Sequence, residues 1–196
     1  MTQNQNSTAD RILDTTQSLI QNSGYSAISF SDIADIVGIK KPSIIHHFPS
    51  KAALGQAVVQ RYHKKIKSNL DQLAQSSDDK LKTITDYISL YQDAYETDDK
   101  VCLCGALSGE FVALPASIQQ EITSFFQYHI NWLDIQLQQG RQGKLFHFQQ
   151  STHDMAIFIV DYLQGAIIVK RAAKKNQSFE QIMALILSIL GSTSAP

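Results

Sequence analysis

The sequence predicts an all-α fold on three observations. Apolar residues recur at helical spacing along the whole chain, no run alternates as a half-buried strand would, and Ser, Asp, Gly and Pro stand where helices start and stop. The first predicted helix carries Ala9, Ile12, Leu13, Thr16, Leu19 and Ile20 on one face and ends near Gly24. The stretch from Ser29 to Lys51, SFSDIADIVGIKKPSIIHHFPSK, then spells two short helices joined by a tight glycine turn. Ser29 with Asp32 three residues on is a capping-box-like start, and Phe30, Ile33, Ala34 and Val37 form one apolar face. Gly38 stops that helix because it adopts a left-handed turn at little cost, and Ile39 stands ready to tuck inward. The second short helix begins near Lys41, with Pro42 in its first turn, where a missing N–H costs nothing, and ends at Phe48-Pro49. This is the pattern of a helix-turn-helix, whose second helix enters a DNA major groove.

Ser50 caps the next predicted helix, which runs through Leu54, Val58, Tyr62 and Ile66 to the polar break Gln75-Ser76-Ser77-Asp78 and connects the helix-turn-helix to the rest. A helix with Leu81, Ile84, Ile88 and Tyr91 follows. After it come a short one around Cys104 to Leu114 and a long one after Pro115 carrying Ile118, Ile122, Phe125, His129, Leu133 and Leu137. Arg141 to Phe148 reads as a loop. The last two predicted helices span Ser151 to Lys175 and Ser178 to Leu190, the latter opening on a Ser178/Gln181 capping box and stopped by Gly191. Apolar residues nearly encircle the final helix from Ile182 to Leu190, more than a monomer of this size readily buries. A four-helix dimer interface is the expectation, with Gly165 and Ala166 permitting close approach; a central core helix is the competing reading.

Composition divides the chain the same way. The whole carries 17 Lys and Arg against 18 Asp and Glu, but residues 1–70 hold eight basic and four acidic side chains and residues 71–196 hold nine and fourteen. Seven basic residues and no acidic one lie between Ile36 and Leu70 (Lys40, Lys41, Lys51, Arg61, Lys64, Lys65 and Lys67), a local field suited to phosphates. No run is long and apolar enough to span a membrane, and the tail MTQNQNSTAD lacks the features of a signal peptide, so a frayed N-terminus and a cytoplasmic protein are expected. Two cysteines in a single C-x-C agree with a reducing compartment. Adjacent His46 and His47 diverge by about 100° on a helix and have no Cys or carboxylate to complete a set, so no metal site is expected, and no cofactor motif is present. No glycine-rich phosphate loop, nucleophile elbow or paired carboxylates suggest an enzyme.

The helix-turn-helix string closely resembles the TetR family of bacterial one-component repressors, whose signature runs approximately T-x-x-D-I-A-x-x-x-G-V-S-x-x-x-L-Y-x-H-F-x-x-K. Asp32-Ile33-Ala34, Gly38, His47-Phe48 and Lys51 match at the expected spacing, preceded by Arg11-Ile12-Leu13 and Gly24-Tyr25. The likeness covers roughly the first 60 residues; beyond them it rests on length, helical texture and the placement of the last two helices. Two positions depart from the pattern: Lys40 replaces the usual Ser cap, and Ile45 the usual phosphate-contacting Tyr. The resemblance implies a DNA-binding domain over residues 1–49 and a helical ligand-binding and dimerisation domain over 50–196. It also implies a homodimer formed through the last two helices, a pseudo-palindromic double-stranded operator, and a small-molecule inducer that swings the connector helix.

Candidate DNA contacts follow from residue chemistry. Lys40, Lys41, Pro42, Ser43 and His46 lie on or beside the second short helix, where Lys41 can donate to guanine acceptors, Ser43 to either kind of base edge, and Pro42 can pack on a thymine methyl. Ser29, His47 and Lys51 match family positions that hold phosphates. Candidate ligand contacts are Tyr62 on the connector, Tyr87 and Tyr91 spaced with Tyr95 on one predicted helix, and Phe111, Phe125, His129 and Trp132 on others. Asp161 and Gln164 join them as polar groups costly to leave in a dry core, while ordinary packing is the plain alternative for each aromatic. Cys102 is the last candidate: it opens a predicted helix two residues after Lys100, and C-L-C-G-A-L-S-G-E resembles the C-L-x-x-x-L-x-x-E of an electrophile-responsive branch of the family. Two small buried apolar residues are the plain reading of the pair. Two functional alternatives therefore stand beside a ligand-released repressor: a sensor triggered through Cys102, and a helical interaction module that has lost DNA binding.

Overall fold

The computed structural model describes residues 7–96, 101–173 and 177–191. Helices α1 (Thr8–Ser23), α2 (Phe30–Val37), α3 (Lys41–His47), α4 (Lys51–Ser76), α5 (Lys80–Ser89), α6 (Gln92–Glu96), α7 (Leu103–Ser108), α8 (Ala116–Gln142), α9 (Thr152–Ala173) and α10 (Phe179–Ile189) follow one another, with a 3₁₀ turn at Phe111–Ala113 and no strand among the described residues. The all-α expectation is met. The chain divides into two compact units, residues 1–64 with 101–124, and residues 65–100 with 125–196, so α4 and α8 each begin in the first and end in the second.

In the first unit local chemistry sets each helix end. Ser7 Oγ accepts the Asp10 N–H at 3.1 Å to start α1, and a capping box between Ser29 and Asp32 starts α2. Gly38 (φ 73°, ψ 39°) ends α2 in the left-handed conformation and donates to the Ala34 carbonyl at 2.9 Å; Ile39 donates to the same oxygen at 3.0 Å. The Arg11 guanidinium donates to the Val37 carbonyl, satisfying another orphan acceptor at that end. Ile12, Ile20, Ile33, Val37, Ile44, Leu54 and Val58 form the buried centre that fixes the three short helices against the start of α4. Arg61 pairs with Asp14 at 2.7 Å, tying α4 to α1 at the surface.

The second unit packs Ile84, Tyr87, Ile88, Leu133, Leu137, Phe146, Ile159, Leu163, Ile182 and Ile186 inside. The end of α8 is closed by Lys144, a non-glycine residue at φ 59°, with Leu145 donating to the Gly140 carbonyl at 2.9 Å. Ser178 and Gln181 form the expected capping box at α10.

Three details differ from expectation. Tyr87, Tyr91 and Tyr95 do not share one helix: Leu90 and Tyr91 donate to carbonyls three residues back, at 3.2 and 3.0 Å, and this tighter turn separates α5 from α6. The helix expected to reach Leu114 stops at Ser108, and the remainder is the 3₁₀ turn. Asp161, read as a polar group in an apolar core, is exposed, because α9 turns Phe158, Asp161, Ile168 and Val169 outward and Met155, Ile159, Leu163 and Ile167 inward. The N-terminal tail to Asn6, Lys100 and the expected helix end at Lys174 and Lys175 lie outside the described residues.

Candidate functional site

On α3 one side chain is buried and most others are offered to solvent. Ile44 is fully buried and pins the helix, while Lys40, Lys41, Pro42, Ile45, His46 and His47 are exposed and Ser43 is half-buried. Lys40 is the N-cap and makes no side-chain cap bond; in place of the missing Ser, Pro42 removes one first-turn N–H and the Ser43 N–H donates to the Lys40 carbonyl at 2.8 Å. Ile45, 43% exposed, presents an apolar surface in place of a phenol. Such a surface can meet a deoxyribose or a thymine methyl but cannot hydrogen-bond a phosphate.

The flanking phosphate candidates are more constrained. Ser29 Oγ donates to Asp32 Oδ2 at 2.7 Å while accepting the Asp32 N–H at 3.4 Å, so its proton is already committed to the cap. That hydrogen bond holds the Asp32 carboxyl below its usual range. Lys51 Nζ sits 3.3 Å from the Ser26 carbonyl and 4.5 Å from the centre of the Tyr25 ring. An ammonium has three donors, so these contacts orient it without exhausting it.

The ligand candidates fall into separate groups. In the first unit Tyr62 Oη lies 3.8 Å from Cys102 Sγ; Cys102 is the buried N-cap of α7, and Phe111 is half-buried on the 3₁₀ turn. In the second unit Tyr87 Oη is 3.1 Å from His129 Nδ1 and 3.2 Å from Tyr91 Oη. The Phe125 ring packs 4.4 Å from the His129 ring, and Trp132 stacks on Tyr87 at 5.3 Å while donating to the Leu70 carbonyl at 3.1 Å. This is a buried cluster of five sequence-chosen residues, held by α5, α8 and the turn between α5 and α6. Asp161 is elsewhere, on a cleft of about 430 Å³ lined by Tyr95, Phe158, Tyr162, Val169 and Gln177, and Gln164 does not line that cleft. Gln164 Nε2 is nonetheless buried with no hydrogen-bond partner among the described residues.

Two features escaped sequence reasoning. Phe158 stacks on Tyr162 with 5.9 Å between ring centres, and their spacing of four residues was the available signal. Glu110 accepts the Tyr25 and Ser26 N–H groups at 2.7 and 2.9 Å, across 85 and 84 residues of chain, and no local pattern announces that.

Among known proteins, residues 12–58 match the profile of the bacterial regulatory proteins of the tetR family. A TetR transcriptional regulator from Legionella pneumophila is 31% identical, with 96% of this chain and 100% of that one covered and a TM-score of 0.82. A TetR-family regulator from Agrobacterium tumefaciens is 27% identical over 93% and 97% of the two chains, with a TM-score of 0.88. The HTH-type transcriptional repressor NemR of Escherichia coli K12 is 23% identical over 186 residues, 93% of this chain and 94% of that one, and its reduced-form crystal structure has a TM-score of 0.83. The helix-turn-helix geometry and the full-length likeness converge: the chain belongs to the TetR family of non-enzymatic, DNA-binding transcriptional regulators.

Proposed function

We propose that this chain is a cytoplasmic repressor that binds a pseudo-palindromic operator as a homodimer and releases it when a small molecule binds the helical region beyond residue 49. The observation that carries the DNA half is the split of α3 into one buried anchor, Ile44, and an exposed row of Lys41, Pro42, His46 and His47 beside half-buried Ser43. On this reading Lys41, Pro42, Ser43 and His46 face base edges, and Lys40, His47 and Lys51 hold the backbone. Ser29 contributes through its position at the start of α2 more than through its committed hydroxyl. Residues 1–49 act as the DNA-binding domain and 50–196 as the regulatory one, a functional division that the packing of residues 101–124 in the first unit does not follow. Tyr87, Tyr91, Phe125, His129 and Trp132 supply the apolar walls and polar groups of the inducer site.

A titration of duplex DNA covering the chain's own upstream region, repeated across salt concentrations, tests the assignment. Lys51→Ala should weaken binding about equally on all sequences and make the salt slope shallower by roughly one, whereas Lys41→Ala and Ser43→Ala should change which operator bases are tolerated. Equal losses on every sequence for all three variants would sink these roles.

A second reading makes Cys102 the trigger. The two cysteines differ in their surroundings: burial pushes the Cys104 thiol well up, holding it protonated and inert, whereas Cys102 Sγ faces the Tyr62 hydroxyl. Repeating the titration after N-ethylmaleimide treatment of the parent and of Cys102→Ser separates the readings. Loss of affinity in the parent alone supports the cysteine, and an equal response in both leaves the reversible ligand.

A further inference from the structure

The short loop between α1 and α2 is held from two sides by opposite charges. Glu110, which follows α7, spans it with both carboxylate oxygens: Oε1 accepts the Tyr25 N–H at 2.7 Å and Oε2 the Ser26 N–H at 2.9 Å. From the other side, Lys51 Nζ at the start of α4 donates to the Ser26 carbonyl at 3.3 Å and stands over the Tyr25 ring. Glycines make the approach possible. A Cβ on Gly24, already at φ 85°, would lie 2.5 Å from Glu110 Oε1, and one on Gly55 would lie 2.8 Å from the Tyr25 ring. A second tie joins the same segments, since Gln21 Nε2 donates to the Val101 carbonyl at 2.6 Å. The two residues between these clamps therefore link the 101–110 segment to the helix end that carries Lys51.

We propose that Glu110 is a positioning residue for DNA binding: by fixing the Tyr25-Ser26 backbone it fixes the Lys51 ammonium where it can meet a phosphate. The proposal rests on the phosphate reading of Lys51. Its chemistry is specific to a glutamate. Glutamine offers one acceptor and turns its amide donors towards one of the two N–H groups, and aspartate keeps the charge but is one methylene too short to reach both. A buried salt bridge is not involved; the carboxylate acts on backbone donors, and Lys51 is set indirectly through the carbonyl and ring it grips.

The test is a double-mutant cycle on the full-length protein with a nonspecific 30-base-pair duplex at low salt as probe, because a phosphate contact does not depend on sequence. Parent, Glu110→Gln, Lys51→Ala and the double variant are compared by fluorescence anisotropy, with circular dichroism melts confirming folding. We expect Glu110→Gln and Lys51→Ala each to weaken binding about five- to tenfold and to lower the salt slope by about one, with the double variant no weaker than Lys51→Ala alone. If Glu110→Gln fails to fold, Glu110→Asp takes its place in the cycle. Parental affinity in Glu110→Gln, or a loss that adds in full on Lys51→Ala, overturns the proposal while leaving Lys51 a phosphate contact. Parental affinity in Lys51→Ala removes the phosphate reading itself and the proposal with it.

Discussion

Burial pushes the Glu110 carboxyl up, but hydrogen bonds from Ser26 and Tyr25 and the nearby Lys51 charge outweigh it, so its pKa lies below the usual glutamate value. A lowered folded-state pKa means that the carboxylate's contribution to stability is fully present above the unfolded-state value and is lost as pH falls through the folded-state one. The difference in melting temperature between the parent and Glu110→Gln should therefore hold steady at neutral pH and shrink once pH falls below the ordinary glutamate pKa of about 4.3 and through the lower folded-state one. Thermal unfolding at a series of pH values measures it. A gap that does not shrink at any pH below the ordinary glutamate pKa at which the protein stays folded would mean that something other than the carboxylate charge holds the loop. At this scale legibility was uneven: Ser29, Lys41 and Lys51 stand out as candidates because their chemistry sits in a local string, whereas the partners of Glu110 are 84 and 85 residues away and cannot be read from its neighbours.

Helix boundaries were legible where a local side chain sets them. Ser29, Ser50, Ser151 and Ser178 each accept an N–H three residues on, at 3.4, 3.1, 3.0 and 3.4 Å. The break between α5 and α6 was not legible, since Leu90 and Tyr91 continue the apolar rhythm and no Gly or Pro marks the turn. The end of α8 depends on tertiary contact too. A Cβ on Gly140 would lie 2.1 and 2.3 Å from two ring carbons of Phe146, which is 2% exposed. Helix propensity alone favours Gly140→Ala by up to about 1 kcal/mol. Overpacking a rigid ring typically costs about 1–3 kcal/mol, which outweighs that gain. Gly140→Ala should thus lower the melting temperature by a few degrees, with Phe146 pushed from its slot. A raised melting temperature would show that the propensity gain dominates and that the 143–148 segment yields without strain.

At the scale of the whole molecule, the apolar girth of the final helix resolves into two faces. Phe179, Ile182, Ile186 and Leu190 are buried within the chain, but Leu185 and Ile189 remain 43% and 38% exposed, and on α9 Phe158, Ile168 and Val169 are exposed as well. A single chain leaves these strips in water, a cost that a two-fold contact between copies would remove, and Gly165 has open space around it, as a close helix crossing requires. The proposed dimer also solves a recognition problem, because one seven-residue helix reads too few base edges and two must be held about 34 Å apart. Leu185→Glu separates this arrangement from a self-sufficient monomer. On a solvent-facing surface the new carboxylate stays hydrated and costs little; in a two-fold interface it is buried twice without a partner, at a cost of several kcal/mol. Sedimentation velocity should then find the parent as a dimer and Leu185→Glu as a folded monomer, with operator binding lost in step with the change in mass. A Leu185→Glu protein that sediments as a dimer and retains operator affinity would place the contact on another face, and with it the spacing of the two recognition helices.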